Sequence, residues 1–278
     1  MQLGIRLHDI AEAPLAERLK IAKSQGFVCG HIALNKVIKE FSVADEALTP
    51  GFGMHIQKMF DDEGIEIAVL GNYLNLATPD EDELQRSVRR YMAHIRMASV
   101  MKVGVIGTET GAVNKEYKFE AYNHSDKSLD LFVERLRPIV DYAEKMGVIM
   151  AIEPVWKHIV STPGRAREVL DRISSPNLQI IFDPVNLLYC GNYERQDEVF
   201  EEAMELLGPD IAVVHLKDYV IEDTKMKSVA AGRGLMNYKN ILRFIKKQKP
   251  FIHVTLENTT PENAVETAAF IRNLYDIV

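Results

Sequence analysis

VIMAIEP (148–154), LQIIFDP (178–184), IAVVHLKD (211–218) and FIHVTLEN (251–258) follow one another through the second half of the chain. Each is a short apolar run that stops at a residue able to hold a metal ion or move a proton: Glu153, Asp183, His215 and Glu257. Four earlier runs have the same form: LGIRLHD (3–9), FVCGHIALN (27–35), IEIAVLGNYL (65–74) and KVGVIGTETG (102–111). Between the eight lie helical patterns near 14–25, 52–63, 80–101, 124–146, 163–174, 195–207, 237–248 and 261–277. Strand-length apolar runs, bounded by turn residues and followed by amphipathic stretches, predict βα units and a parallel sheet. Eight units in 278 residues predict an α/β fold, a single closed (β/α)8 TIM barrel spanning 1–278. An open doubly wound sheet is the rival. The four polar run-ends favour the barrel, because reactive groups there gather at the carboxyl ends of the strands.

Helix boundaries fit that count. Pro14 opens the first helix and Gly26 follows it; Gly64 and Gly147 follow two others; Thr162-Pro163 opens a fourth. Proline at the start and glycine past the end is the expected asymmetry. No Pro/Ser/Gly-rich linker divides the chain, and no short repeat or low-complexity tract interrupts it.

Hydrophobic residues make up 47% and charged residues 26%, ordinary for a globular protein, and the net charge is −7. That balance, without a basic block, disfavours general nucleic-acid binding, which needs clustered Lys and Arg. Two cysteines, Cys29 and Cys190, make no framework of bridges; Cys29 sits in an apolar run, and Cys190 is read as an unreactive residue near the proposed site. The N-terminus MQLGIRLHDI carries no signal-length apolar stretch and nothing approaches a membrane span, so the expectation is a cytoplasmic protein.

Side chains alternate faces along a strand. Ala151 and Glu153 therefore share a face, as do Ile181 and Asp183, Val213, His215 and Lys217, and His253, Thr255 and Glu257. The opposite faces are apolar and suit the outer helices, so the polar set points into the barrel. Three carboxylates in one mouth repel strongly, and an unpaired buried carboxylate costs several kcal/mol or shifts its pKa. A divalent cation is the simplest resolution. Oxygen-rich ligands with one imidazole suit Mn, Mg or Co and permit Zn.

The four strand ends IEP, FDPVN, HLKD with its later GRG loop, and LEN resemble the xylose isomerase-like barrel superfamily, in particular its sugar phosphate isomerase/epimerase branch. The resemblance covers essentially the whole chain. It implies that Glu153, Asp183, His215 and Glu257 ligate one divalent metal ion, and that Glu153 and Glu257 are the catalytic acid/base pair. Ketose 3-epimerases of the family place His, Glu and Arg where this chain has Asn186, Ile159 and Ile221, a departure that argues against a free-ketose 3-epimerase. An apurinic-endonuclease-type phosphodiesterase of the superfamily uses more His and Asp ligands than this chain offers.

The expected activity is a metal-dependent isomerase or epimerase of a sugar, sugar phosphate or polyol ketone, moving a proton through an enediolate. The alternatives are a metal-dependent dehydratase and, further off, the phosphodiesterase. The expected substrate contacts are His158, Asn186, Lys217, Glu109 at the end of the fourth run, and Arg233 in Gly232-Arg233-Gly234, a loop placed where such barrels commonly bind phosphate. Trp156 is expected to wall the pocket. Weaker candidates are His8 and Asn72; His253 is expected deeper, behind the site. The expected partner is a small sugar or polyol, with no nucleic acid and no membrane; a homo-oligomer stays open.

Overall fold

The computed structural model describes residues 1–278. Its eight barrel strands are β1 (Gln2–Arg6), β2 (Cys29–Ile32), β3 (Glu66–Gly71), β4 (Val105–Glu109), β5 (Ile149–Glu153), β6 (Leu178–Phe182), β7 (Ile211–Leu216) and β10 (His253–Leu256). All pair in parallel, and β10 pairs with both β7 and β1, closing the ring. Each of the eight apolar runs holds one strand. The fold is a (β/α)8 TIM barrel.

The outer helices are α1 (Leu15–Ser24), α3 (Pro50–Glu63), α4 (Glu81–Met101), α5 (Asp126–Met146), α6 (Pro163–Ile173), α7 (Gln196–Leu207), α8 (Lys239–Gln248) and α9 (Ala264–Ile277); α2 (Leu34–Val37) is a single turn after β2. Their boundaries follow local chemistry. Thr49, Asp80, Ser125 and Thr162 cap α3, α4, α5 and α6, each side chain accepting from a backbone N–H of the first turn. Such a cap contributes about 1 kcal/mol. Gly64 and Gly147 end α3 and α5 in the left-handed conformation. No helix is long and apolar enough to cross a membrane.

The core has two parts. The large one lies between the helices and the outer faces of the strands. The small one fills the barrel with Cys29, Ala68, Val69, Ala151, Ile181 and Val213. Ala151, Ile181 and Val213 are inward-facing, so the next inward positions, two residues on, are Glu153, Asp183 and His215. The apolar layer is thus a floor, and the polar residues stand on it at the carboxyl ends of the strands. At the other end of the barrel His253 opens β10, and its Nε2 lies 2.7 Å from Glu66 Oε2 at the start of β3.

One element has no counterpart in the sequence reading. The segment after β7 forms an antiparallel hairpin, β8 (Asp218–Glu222) and β9 (Lys225–Val229). Its turn residues Asp223 and Thr224 both have positive φ, +47° and +63°, the pattern of a tight primed turn that matches strand twist. Asp218 holds the base of the hairpin. Its Oδ1 accepts from the backbone N–H of Tyr219 and Met236, and its Oδ2 accepts from Gly232 N–H and the Tyr238 hydroxyl.

Candidate metal and substrate site

The barrel mouth opens on a cavity of about 300 Å³ lined by Arg6, His31, Tyr73, Glu109, Glu153, Lys217 and Glu257 among others. The four residues singled out by the strand ends meet at its base. Glu153, Asp183, His215 and Glu257 are 2%, 1%, 0% and 5% exposed. His215 Nδ1 stands 3.2 Å from Glu257 Oε1 and 3.6 Å from Glu153 Oε2. Ligand atoms of Glu153, Asp183 and His215 all lie within 4.8 Å of one another, and so do those of His31, His215 and Glu257.

Cations hold the carboxylates in place. Lys217 Nζ donates to Glu257 Oε2 at 3.3 Å and forms an ion pair with Asp183 Oδ2 at 2.7 Å. Arg6 Nη1 reaches Glu257 Oε2 at 3.3 Å, and its Nε donates to Asp9. Asn186 Nδ2 donates to Glu153 Oε1 at 2.6 Å, while its backbone N–H donates to Asp183 Oδ1 at 3.2 Å. One loop residue therefore ties the ligand of β5 to the ligand of β6.

Burial and neighbours set the charges. Burial pushes Asp183 up to about 6, with Lys217 pulling against Glu257 and Glu153. Burial and then Glu153 push Glu109 up to about 7; the two residues are register partners on β4 and β5. Burial acts the same way on Glu257, but Lys217, His215 and Arg6 outweigh it and hold that carboxyl well below its usual range. His215 is raised, because Glu257 and Glu153 overcome the burial that would lower it. His31 goes the other way: burial first, then His215, drives it well below its ordinary value, so its ring is neutral.

The unmatched polar atoms point to what the base can hold. Both ring nitrogens of His31 and both of His215 are buried without a hydrogen-bond partner, as are Tyr73 Oη and Thr255 Oγ1. Leaving such atoms bare costs about 1–3 kcal/mol each. Imidazole nitrogens and carboxylate oxygens crowded together are the donors a divalent cation takes, and the set fits one.

The other expected contacts divide. Asn186, Lys217 and Glu109 line the cavity. His158 does not: it is fully buried behind Glu109, with its Nδ1 3.7 Å from Glu109 Oε2 and its ring edge-on to Tyr117 at 4.9 Å. Burial lowers it to about 3, leaving it neutral. The expectation of a substrate contact there is corrected to a wall packed behind the carboxylate. Arg233 is also corrected. It pairs with Glu266 on α9, outside the mouth. The glycines beside it serve close packing instead: a Cβ at Gly234 would overlap the Tyr219 carbonyl oxygen.

Seven residues that line the cavity were not read from the sequence: Arg6, His31, Lys36, Tyr73, Lys157, Ser228 and Asn258. Arg6 is the last residue of β1, as Glu153 is of β5, but it stands inside the run LGIRLHD, so the sequence did not mark it as a strand end. His31 stacks on His215 at 5.2 Å and on Tyr73 at 5.7 Å. It reaches that place past a register shift between Gly30 and His31. Gly71 makes room for it, since a Cβ there would overlap His31 Nε2.

A family model described as a xylose isomerase-like TIM barrel matches residues 21–274. No curated protein matches the chain. Among solved structures, a D-tagatose 3-epimerase-like protein superposes with a TM-score of 0.78 at 20% identity, covering 100% of this chain and 98% of that one. The 3-keto-D-glucoside 4-epimerase YcjR from E. coli, in its apo form, gives 0.75 at 15% identity, covering 98% and 99%. The IOLI protein with a binding zinc atom gives 0.75 at 18% identity, covering 99% and 98%. At these identities the likeness is one of fold.

Proposed function

This chain belongs to the xylose isomerase-like TIM barrel family, and from that premise we propose that it is a divalent-metal-dependent isomerase or epimerase. Its substrate class is a sugar, sugar phosphate or polyol ketone. The observation that carries the reading is the convergence of Glu153 and Glu257, from β5 and β10, on His215 at 3.6 and 3.2 Å. A positioned carboxylate can serve as the general base for proton transfer at a carbon next to a carbonyl, and two flanking one point offer a group on either side of it. The solved folds it resembles include named sugar epimerases, which supports the same class.

Glu153, Asp183, His215 and Glu257 would hold the cation, with His31 beside them. Bound there, a divalent cation supplies Lewis-acid charge for a carbonyl oxygen. Glu153 takes the proton in this scheme. Its Oε1 is fixed by the neutral amide of Asn186, which leaves Oε2 facing the centre of the site. Glu257 Oε2 is clamped by Lys217 and Arg6, which favours its ionised form and a role in holding the cation. Glu153 then carries the proton it took and can return it to the adjacent carbon, which is isomerisation; return by Glu257 to the opposite face, which is epimerisation, requires that Glu257 first take a proton from solvent. Lys217, buried and raised above its ordinary value chiefly by Asp183 and Glu257 against the pull of burial, stays charged and can steady oxygen charge on the enediolate.

Glu109 favours a second reading. With a pKa pushed up to about 7, a carboxyl in the cavity can carry a proton at neutral pH. A general acid there can protonate a departing β-hydroxyl, which is dehydration. Incubating ketoses and inososes in D2O with metal-loaded protein separates the two. Deuterium at the α-carbon of a product of unchanged composition supports isomerase or epimerase. A product lighter by one water supports the lyase. Neither exchange nor loss of water with any ketone of the panel sinks both.

A further inference from the structure

Beside the polar cavity lies a second one of about 420 Å³, and the two share Lys157, Asn186 and Ser228 as a common rim. Their chemistry differs sharply: one of thirteen lining residues is hydrophobic in the polar cavity, seven of twelve in its neighbour. The second is walled by Trp156 and Tyr189, whose rings stack at 5.0 Å with 25° between planes, and Phe119 packs on Trp156 at 5.1 Å. Val185 and Leu188 also line it, and Thr224, Lys225 and Met226 line it from the hairpin. Cys190 Sγ donates to the Thr224 carbonyl oxygen at 3.0 Å, joining the hairpin turn to the loop after β6.

These walls are anchored to the reacting groups. The Trp156 backbone N–H donates to the Asn186 carbonyl oxygen at 2.8 Å, and the Asn186 side chain donates to Glu153. Trp156 itself lies three residues after Glu153, in the loop that follows β5. A ring held against Trp156 is therefore linked through one residue to the proposed base. A polar cavity of this size suits a small polyol, and the pair of cavities together falls in the range of roughly 300–1,000 Å³ that binds larger ligands.

Resting on the isomerase/epimerase reading, we propose that the second cavity is a substrate subsite and that the substrate is a keto-sugar or keto-polyol bearing a ring substituent. The keto-polyol part lies over Glu153 and Glu257, and the substituent, a glycosidic ring or aglycone, lies against Trp156 and Tyr189. Aromatic faces are suited to such rings because ring stacking adds to apolar burial. A free monosaccharide would leave this aromatic wall exposed to water.

Trp156 is the only tryptophan of the chain, so its emission reports on this cavity alone. The test titrates Mg-loaded protein with matched phenyl and methyl glycosides of glucose, galactose, mannose and xylose, each oxidised to the ketone at one ring hydroxyl. Tryptophan emission and calorimetry are read together. At least one phenyl glycoside should bind about tenfold tighter than its methyl partner, with a change in emission, and Tyr189→Ala should remove that preference while leaving methyl-glycoside affinity within about twofold. Equal binding of the pairs, no binding of either, or equal weakening of both by Tyr189→Ala would overturn the subsite. Metal content and circular dichroism of Tyr189→Ala check that the loop variant is folded. Deuterium uptake by free ketoses, followed in parallel, keeps the two proposals apart. Exchange without phenyl preference removes the subsite and leaves the reaction; phenyl preference without any exchange does the reverse.

Discussion

The barrel mouth has two unlike halves. β5, β6, β7 and β10 deliver three carboxylates and His215, while β1, β2, β3 and their loops deliver Arg6, His8, His31 and Tyr73. Burial opposes charge in both halves, raising Asp183 to about 6 and lowering His8 to about 3. The outcomes differ because of neighbours. In the first half Lys217 sits between Asp183 and Glu257 and keeps charge in place. In the second half burial first, then His215, keeps His31 neutral, and Glu257 does not outweigh them. The contrast is one of composition: one half gathers the carboxylates around Lys217, and the other packs the neutral ring of His31 on His215 and adds one cation, Arg6, to Glu257.

The largest effect should come from breaking the charged half. Glu153→Gln keeps the volume and can still accept from Asn186, so the fold should hold while solvent-deuterium exchange falls by about 10²–10⁴-fold. Exchange rates and thermal unfolding of the variant, measured together, check this. Retained exchange would move the base elsewhere, with Glu109 next in line.

Acid should act next. A cation needs His215 and Asp183 without their protons. His215 is raised and Asp183 stands at about 6, so cation affinity is full above those values and is lost as the pH falls through them. Calorimetric titration with Mn(II) should show affinity dropping by about tenfold per pH unit for each proton that must leave. A flat profile between about pH 8 and pH 5 would mean that neither group binds the cation.

The rings of the second half give a smaller effect and a sharper distinction. If His31 positions His215 by stacking, His31→Ala should weaken cation binding by about 10–100-fold, the scale of a lost supporting contact. His31 is neutral across the range, so the pH midpoint should stay where it was. A loss as large as that of His215→Ala would instead make His31 a ligand.

The same division runs through what the sequence disclosed. Glu153, Asp183 and His215 were legible because each follows Ala151, Ile181 or Val213 by two residues on a regular strand, and alternation carries the inward direction forward. His31 was not, because the register shifts at Gly30/His31 and breaks that alternation. Its space depends on Gly71, a contact between residues forty positions apart that no local pattern encodes. The hairpin was missed for another reason: its second strand, KMKSV, is largely solvent-exposed and carries no apolar face to mark it. Its Asp223-Thr224 turn lacks the glycine that signals such turns.

The smallest effect is expected at Arg233, where the sequence pointed to a phosphate contact. The guanidinium pairs with Glu266 at the surface, and exposed pairs of this kind are worth about 0–1 kcal/mol. Arg233→Ala should therefore change kcat/KM by less than about twofold. The glycine beside it behaves differently. Gly234→Ala sets a methyl against the Tyr219 carbonyl oxygen and presses on Asp218 Oδ1, which accepts from Met236 N–H and fixes the hairpin base. Overpacking against backbone costs about 1–3 kcal/mol, so Gly234→Ala should lower the unfolding temperature and disturb the hairpin that walls the aromatic cavity. Measuring both variants side by side tests where the meaning of the Gly-Arg-Gly motif lies. A large loss of kcat/KM in Arg233→Ala with Gly234→Ala unaffected would return the arginine to the substrate; the opposite pattern assigns the motif to holding the wall on which the second cavity depends.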